Sequence, residues 1–263
     1  MSDTYQISFS GGMGSAVSAI LALEHGLKFN LVFADTLIED EDLYRFNDDI
    51  ARACGKEVIH LTDGRTPWDV YVDNRWIGNT RTAHCSTELK TKPVRKWLEE
   101  NAQPDDPLVL GMDMSELDRL ERASKQWTPR PVVSLINEYG LWRPQWPELL
   151  ARHNVKPPRL YSLGYEHNNC GGFCCKAGLV QFERLYRTNP ERYAYHEKEM
   201  ERAMGEIGPT AKPFLRQSYQ GEIQYITLKD FRLGIESQTM ELPMFDDAGC
   251  GCFTDDEPNV AQR

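Results

Sequence analysis

Two groups of residues have types and spacings that could do chemistry. The first is Ser8-Phe9-Ser10-Gly11-Gly12-Met13-Gly14-Ser15, with three glycines among four residues and serines on both sides. It follows an apolar stretch and precedes a helical pattern, so it reads as a turn from strand into helix. Backbone N–H groups in such a turn point outward, and the helix N-terminus carries partial positive charge, so anions dock there. Ser10 and Ser15 add hydroxyl donors. The Gly-Lys-Ser/Thr ending of the Walker loop is absent, and the glycine spacing is not that of the Rossmann fingerprint. A turn that merely tightens a strand–helix junction is the bland alternative.

The second group is the cysteines: Cys54, Cys85, Cys170, Cys174, Cys175, Cys250 and Cys252. Their number is odd and the chain has no secretory leader pattern, so a cytoplasmic protein without a disulfide scaffold is expected. Five fall into two tight runs, His167-Asn-Asn-Cys170-Gly-Gly-Phe-Cys174-Cys175 and Gly249-Cys250-Gly251-Cys252. Glycines beside clustered thiols let the chain bend so that several sulfurs converge, which favours a metal ion or an iron–sulfur cluster. Small buried hydrophobes and a plain tail are the competing reading. Cys54 ends an apolar helical face and belongs to a core.

Charge adds a third signal. The 263 residues carry 30 Lys+Arg and 40 Asp+Glu, a formal net charge of −10. Such a chain is a poor non-specific coat for nucleic acid. Yet Arg81, Lys90, Lys92, Arg95 and Lys96 stand against a single Glu88, and this local reversal of sign suits an anionic ligand or, more simply, a solvated helix face. Arg119, Arg122, Lys125 and Arg130 could extend it. No apolar run approaches the roughly 20 residues that span a bilayer, so no membrane partner is expected.

The elements that must position these groups alternate. Strands are expected at 5–10, 29–34, 57–61 and 107–110, and helices from Ser15, over 40–54, over 87–101 and from 111 to Trp127. The near-continuous apolar run of 29–34 reads as a buried parallel strand. Val17, Ile20 and Leu21 lie on one helix face, as do Leu43, Phe46, Ile50 and Cys54. This alternation implies an open, mostly parallel α/β sheet with helices on both faces. Six prolines then punctuate 128–160, with a short helix near 146–153. Helices bearing Leu179, Phe182 and Tyr186 and spanning 190–204, and a late strand at 223–228, complete the pattern. The expected division is 1–128 as a nucleotide-binding domain, 129–241 as a mainly helical, cysteine-bearing extension packed on it as one unit, and 242–263 as an acidic tail. Trp142 and Trp146 could serve a homodimer interface as readily as a core.

Ser10-Gly-Gly-x-x-Ser15 resembles the PP-loop of the adenine nucleotide alpha-hydrolase-like superfamily. More specifically, the chain resembles the phosphoadenosine phosphosulfate reductase-like branch, which includes phage and bacterial members. Phe33-Ala-Asp35-Thr36 is similar to the family's Asp-Thr pair near the adenosine. Cys85-Ser-Thr-Glu-Leu-Lys90-Thr-Lys-Pro93 is similar to its cysteine–lysine–proline segment. Gly111-Met-Asp-Met-Ser-Glu116-Leu-Asp-Arg119 stands in the place of its fourth-strand element. The resemblance covers roughly residues 5–185.

The resemblance implies an ATP or adenylylsulfate-type nucleotide held by Ser8, Ser10, Gly11, Gly12, Gly14, Ser15, Asp35, Thr36, Arg81, Lys90 and Gly111. It implies phosphate contact by Lys90, and a four-iron four-sulfur cluster on Cys85, Cys170, Cys174 and Cys175 or a tail cysteine. A zinc site using His167 and three cysteines is the rival. In sulfonucleotide reductases a tail thiolate attacks sulfur, a role that would fall to Cys250 or Cys252. The departures matter. Met13 and Gly14 replace the Lys and Asp of many PP-loops, leaving Asp35 or Asp113 to hold any magnesium, and the fourth-strand Arg is replaced by Asp113.

Three functions follow. One is an ATP-using enzyme that adenylylates a small-molecule or nucleic-acid acceptor, releases pyrophosphate and passes in sulfur from a sulfur or thiol donor protein. The second is a sulfonucleotide reductase. The third is a non-catalytic nucleotide-binding module.

Overall fold

The computed structural model describes residues 4–79, 82–219, 222–240 and 242. In chain order the elements are β1 (Thr4–Ser8), α1 (Met13–Glu24), β2 (Lys28–Asp35), α2 (Glu41–Cys54), β3 (Val58–Thr62) and α3 (Pro67–Asp73). A short α4 (His84–Ser86) runs through a π-helical turn at Thr87–Thr91 into α5 (Lys92–Asn101). Then come β4 (Leu108–Val109), α6 (Leu117–Trp127), β5 (Val132–Val133), α7 (Leu135–Glu138), α8 (Trp146–Arg152) and α9 (Arg159–Ser162). The chain closes with α10 (Leu179–Thr188), α11 (Pro190–Ile207), β6 (Leu215–Tyr219), β7 (Glu222–Ile226) and α12 (Leu228–Glu236).

Contacts group the chain into two units that interleave in sequence. The first joins Met1–Asp63 to Leu89–Gly171, and the second joins Gly64–Glu88 to Gly172–Arg263. This grouping differs from the linear division expected at residue 128. The proline-rich stretch returns to the sheet through β5, α7 and α8, whereas 64–88 joins the later helices.

The first unit is an all-parallel sheet in the order β3-β2-β1-β4-β5 with helices packed on it. Its α/β class is the one the strand–helix alternation predicts. Phe29, Leu31, Val32, Phe33 and Ala34 are all buried in β2, as a strand covered on both faces requires. α1 is buried all round from Ser15 to Ala22, not on one stripe. Its Ala16, Ala19 and Ala22 are small enough to let β1, α2, α7 and α8 all approach it. α2 buries Leu43, Phe46, Ile50 and Cys54; its Asp40 side chain caps the Asp42 N–H at 3.0 Å. β5 escapes the sequence pattern because it is two residues long and follows Pro131.

In the second unit α3 starts with a capping box between Thr66 and Asp69 and has Pro67 in its first turn. It packs against α11. The core there is aromatic: Trp68, Phe173, Phe182, His196 and Phe214 share edge and face contacts, with His196 stacked on Phe173 at 3.9 Å. β6 and β7 form an antiparallel hairpin, so the expected late strand has a partner that the sequence pattern did not show.

Candidate functional site

The glycine loop lies where the sequence places it, between the end of β1 and the start of α1. The first turn of α1 carries no acidic residue and Gly12 offers no side-chain cap, so the positive end of the helix is not neutralised locally. The Met13 N–H donates to the Tyr161 hydroxyl at 3.1 Å. Ser10 Oγ and Ser15 Oγ lie 3.3 Å apart, and Ser15 Oγ donates to the Gly12 carbonyl at 2.9 Å. Ser8 is buried in the strand.

Gly14 packs against the end of β4. A side chain there would run into the Gly111 carbonyl, and one at Gly111 would run into the backbone of Gly14 and Ser15. The departure from the usual PP-loop at this position is thus a backbone-on-backbone contact with the end of β4, which only two glycines permit. Gly111 serves the loop's packing.

A later segment closes over the loop. Asn168, 1% exposed, donates from Nδ2 to the Gly11 carbonyl at 2.8 Å, while its Oδ1 is buried without a partner among the described residues. Asn169 Oδ1 is likewise buried and unpartnered, close to the side of Gly12 where a Cβ would sit. Neither asparagine stood out in the sequence; the only cue is their position just ahead of Cys170.

Lys90 is the next participant. It is 5% exposed, on the π-helical turn, so it is no part of a solvated basic face. Its Nζ lies 3.8 Å from Glu39 Oε1 and 3.7 Å from Cys170 Sγ. Glu39 accepts from Thr36 Oγ1 at 2.9 Å and from the Cys170 N–H. Burial pushes the Glu39 carboxyl up, and Lys90, Thr36 and the Cys170 N–H oppose that shift. Cys170 itself sits in the left-handed region at φ 56°, ψ 27°. Thr36 therefore spends its hydroxyl on Glu39, a residue the sequence motifs did not single out.

The other expected cations are engaged locally. Arg95 stacks over Trp127 at 4.5 Å and donates to the Gln126 carbonyl. Arg119 pairs with Glu116, Lys125 with Glu121, and Arg130 donates to the carbonyls of Gln103 and Asp106. Among the described cations of this segment, Lys90 is buried, Arg95 is half-buried, and Lys92 and Lys96 are exposed. Asp35 accepts from Tyr44 Oη and the Leu37 N–H, and Asp113 from Ser115 and Arg143. Arg143 thus brings an arginine to the fourth-strand element from a later part of the chain.

In the second unit three thiols gather around a phenol. Tyr71 Oη lies 3.4 Å from Cys85 Sγ. Hydrogen bonds to Cys174 and Cys85, then burial, push the Cys175 thiol well up, and burial pushes the Tyr71 phenol up. Gly78 packs on Cys175, since a side chain there would come within 2.9 Å of its sulfur. None of the five described cysteines forms a disulfide. Cys54 is core, its thiol pushed up to about 12 by burial.

Of the expected thiols, Cys170 falls in the first unit and Cys85, Cys174 and Cys175 in the second. Among the described residues no group of three or more His, Cys, Asp or Glu side chains is arranged to hold a metal ion. Arg81, Cys250 and Cys252 lie outside the described residues. No described helix is long and apolar enough to cross a membrane.

Comparison with known proteins follows the same line. Two uncharacterized proteins of Methanocaldococcus jannaschii are similar: one is 27% identical over 70% of this chain and 39% of its own length, the other 24% identical over 73% and 49%. The chain therefore spans less than half the length of these curated relatives. Among solved structures, a phosphoadenylyl-sulfate reductase from Candida auris in complex with phosphate aligns at 16% identity and TM-score 0.45, covering 63% of this chain and 80% of that one. A 4-thiouridine synthetase in complex with RNA and bound ATP aligns at 17% identity and TM-score 0.38, covering 75% and 53%. The family model for the phosphoadenosine phosphosulfate reductase domain matches residues 4–137, which hold the whole parallel sheet and the glycine loop. With about half of its length matched, the chain belongs to the phosphoadenosine phosphosulfate reductase domain family.

Proposed function

We propose that the protein is a PP-loop enzyme of sulfur transfer that binds ATP at Ser10–Ser15. The observation that carries this reading is the helix N-terminus of α1, with no acidic residue in its first turn and with Ser10 and Ser15 beside it, and the buried Lys90–Glu39–Cys170 group in the same unit. The loop and helix N-terminus would hold the phosphates. Asn168 and Asn169 supply buried carbonyl oxygens that a nucleotide's N–H or O–H groups could satisfy. An acceptor would attack the α-phosphate and pyrophosphate would leave, the developing charge being stabilised by fixed backbone dipoles and by Lys90. Sulfur would then displace AMP. No step here runs through a metal cluster; iron and sulfide analysis of protein purified without air decides that question directly.

Membership of the family supports a second reading, a sulfonucleotide reductase in which a thiolate attacks the sulfur of bound adenylylsulfate. Pyrophosphate exchange with ATP tests the first reading. Sulfite release from an adenylylsulfate with a thiol donor tests the second. Absence of any adenine nucleotide binding would overturn both.

A further inference from the structure

Cys170 is built into the first unit differently from every other described thiol. Its N–H is held by Glu39, its backbone is held in the left-handed region, and its sulfur faces the Lys90 ammonium at 3.7 Å. The two residues before it rest on the glycine loop: Asn168 bonds the Gly11 carbonyl, and Asn169 Oδ1 lies beside Gly12. One short segment therefore ties a thiol, a buried cation and the glycine loop together. The buried, unpartnered Oδ1 of Asn168 marks the same place as one with room for a ligand's donor.

We infer that Cys170 is the nucleophilic thiol of the nucleotide site and the residue that takes up sulfur there, with Lys90 holding its thiolate. This deepens the sulfur-transfer reading above and rests on it for the use made of the sulfur. A cation beside a thiol favours the thiolate, which is the attacking species. The step is exchange with a small-molecule persulfide. The Cys170 thiolate attacks the outer sulfur of R–S–S–H. The S–S bond breaks, R–S⁻ leaves with the electron pair, and Cys170 becomes a persulfide that keeps the proton. There is no net oxidation or reduction. Cys175 differs: hydrogen bonds to Cys174 and Cys85, then burial, hold its thiol in the neutral form.

The test uses the full chain. Iodoacetamide labelling at neutral pH, followed by peptide mass spectrometry, should show Cys170 labelled fastest of the five described thiols. Lys90→Met should slow that labelling roughly tenfold, and Lys90→Arg, which keeps the charge, should restore most of it. Treatment with a low-molecular-weight persulfide should add one sulfur atom to the Cys170 peptide, and saturating ATP should slow labelling at Cys170. Labelling no faster than at Cys85 or Cys174, or a rate unmoved in a folded Lys90→Met protein, would overturn the inference. ATP binding with an inert Cys170 does the same. A fast Cys170 in a protein that binds no ATP supports the thiol assignment and overturns the ATP reading instead.

Discussion

Cys170 and Cys175 lie five positions apart and live in opposite environments. Cys170, in the first unit, faces an ammonium group and has its backbone held by a carboxylate. Cys175, in the second, is fully buried among two thiols and a phenol, and its own thiol is pushed well up. Identical side chains are thus set in different surroundings, one beside an ammonium group and one among thiols and a phenol. A neighbouring cation favours the anion, whereas burial and hydrogen bonding of the S–H favour the neutral thiol. The two units differ in the same sense throughout. The first packs aliphatic side chains with Phe9, Phe29, Phe33, Phe46 and Trp146 in one core, and the second packs aromatic rings around a neutral histidine.

The largest effect on this contrast should come from Gly14→Ala. Its methyl group meets the Gly111 backbone, which cannot rotate away, so the first unit should lose about 3 kcal/mol or more. Chemical denaturation read by hydrogen exchange in β1 and α1 checks it, with α3 and α11 as the internal reference. A loss shared equally by both units would mean that they do not respond separately.

Gly12→Asp should do the reverse, sparing the fold and striking the ligand. The nearest atoms to a Cβ at Gly12 are the Tyr161 hydroxyl at 3.4 Å and two side-chain oxygens beyond it, which are ordinary contacts. A carboxylate in the loop should weaken ATP binding about a hundredfold through like-charge repulsion. Calorimetric titration reads this, and unchanged affinity would remove the phosphate-loop assignment.

Mild acid should separate the units by charge. Burial, then the nearby Arg192, holds the His196 pKa well below 6.5, so the unfolded chain takes up a proton that the folded second unit refuses. Stability from this group is present above 6.5 and falls as pH drops, by about 1.4 kcal/mol per pH unit. Glu39 in the first unit runs the other way. Its raised pKa means that lowering the pH toward 4.5 relieves a buried charge. Between pH 6.5 and 4.5 hydrogen exchange should therefore quicken in α11 before β2. Equal loss in both would count against His196 as the weak point.

The smallest effect is Gly78→Ala. Its methyl group would press on the Cys175 sulfur at 2.9 Å and the Tyr71 ring at 3.1 Å. A loss of about 1–2 kcal/mol confined to the second unit is expected. A larger one would show that the three-thiol group has no slack at all.

Much of the first unit could be read from the chain. The apolar run of 29–34 could only be a covered strand, and the spacing of Leu43, Phe46, Ile50 and Cys54 could only be a helix face. The glycine loop stood out because its letters and its strand–helix context agree. α3 was less legible: seven residues give too little periodicity, and its Trp68 and Tyr71 read as a loop until α11 and Phe173 are placed against them. In the basic segment sequence proximity does not fix exposure; Lys90 is buried while Lys92 and Lys96 are exposed.

By itself the sequence determined the class of the sheet and the position of the glycine loop between strand and helix, because local periodicity and residue type are local properties. Only the tertiary structure decided which of those side chains meet. Gly14 answers to Gly111, Lys90 to Glu39 and Cys170, and Cys175 to Cys85. Each of these pairs is far apart in the chain except where the fold closes it, and the protonation and reactivity of a thiol or carboxyl depend on such neighbours rather than on the residue's own chemistry.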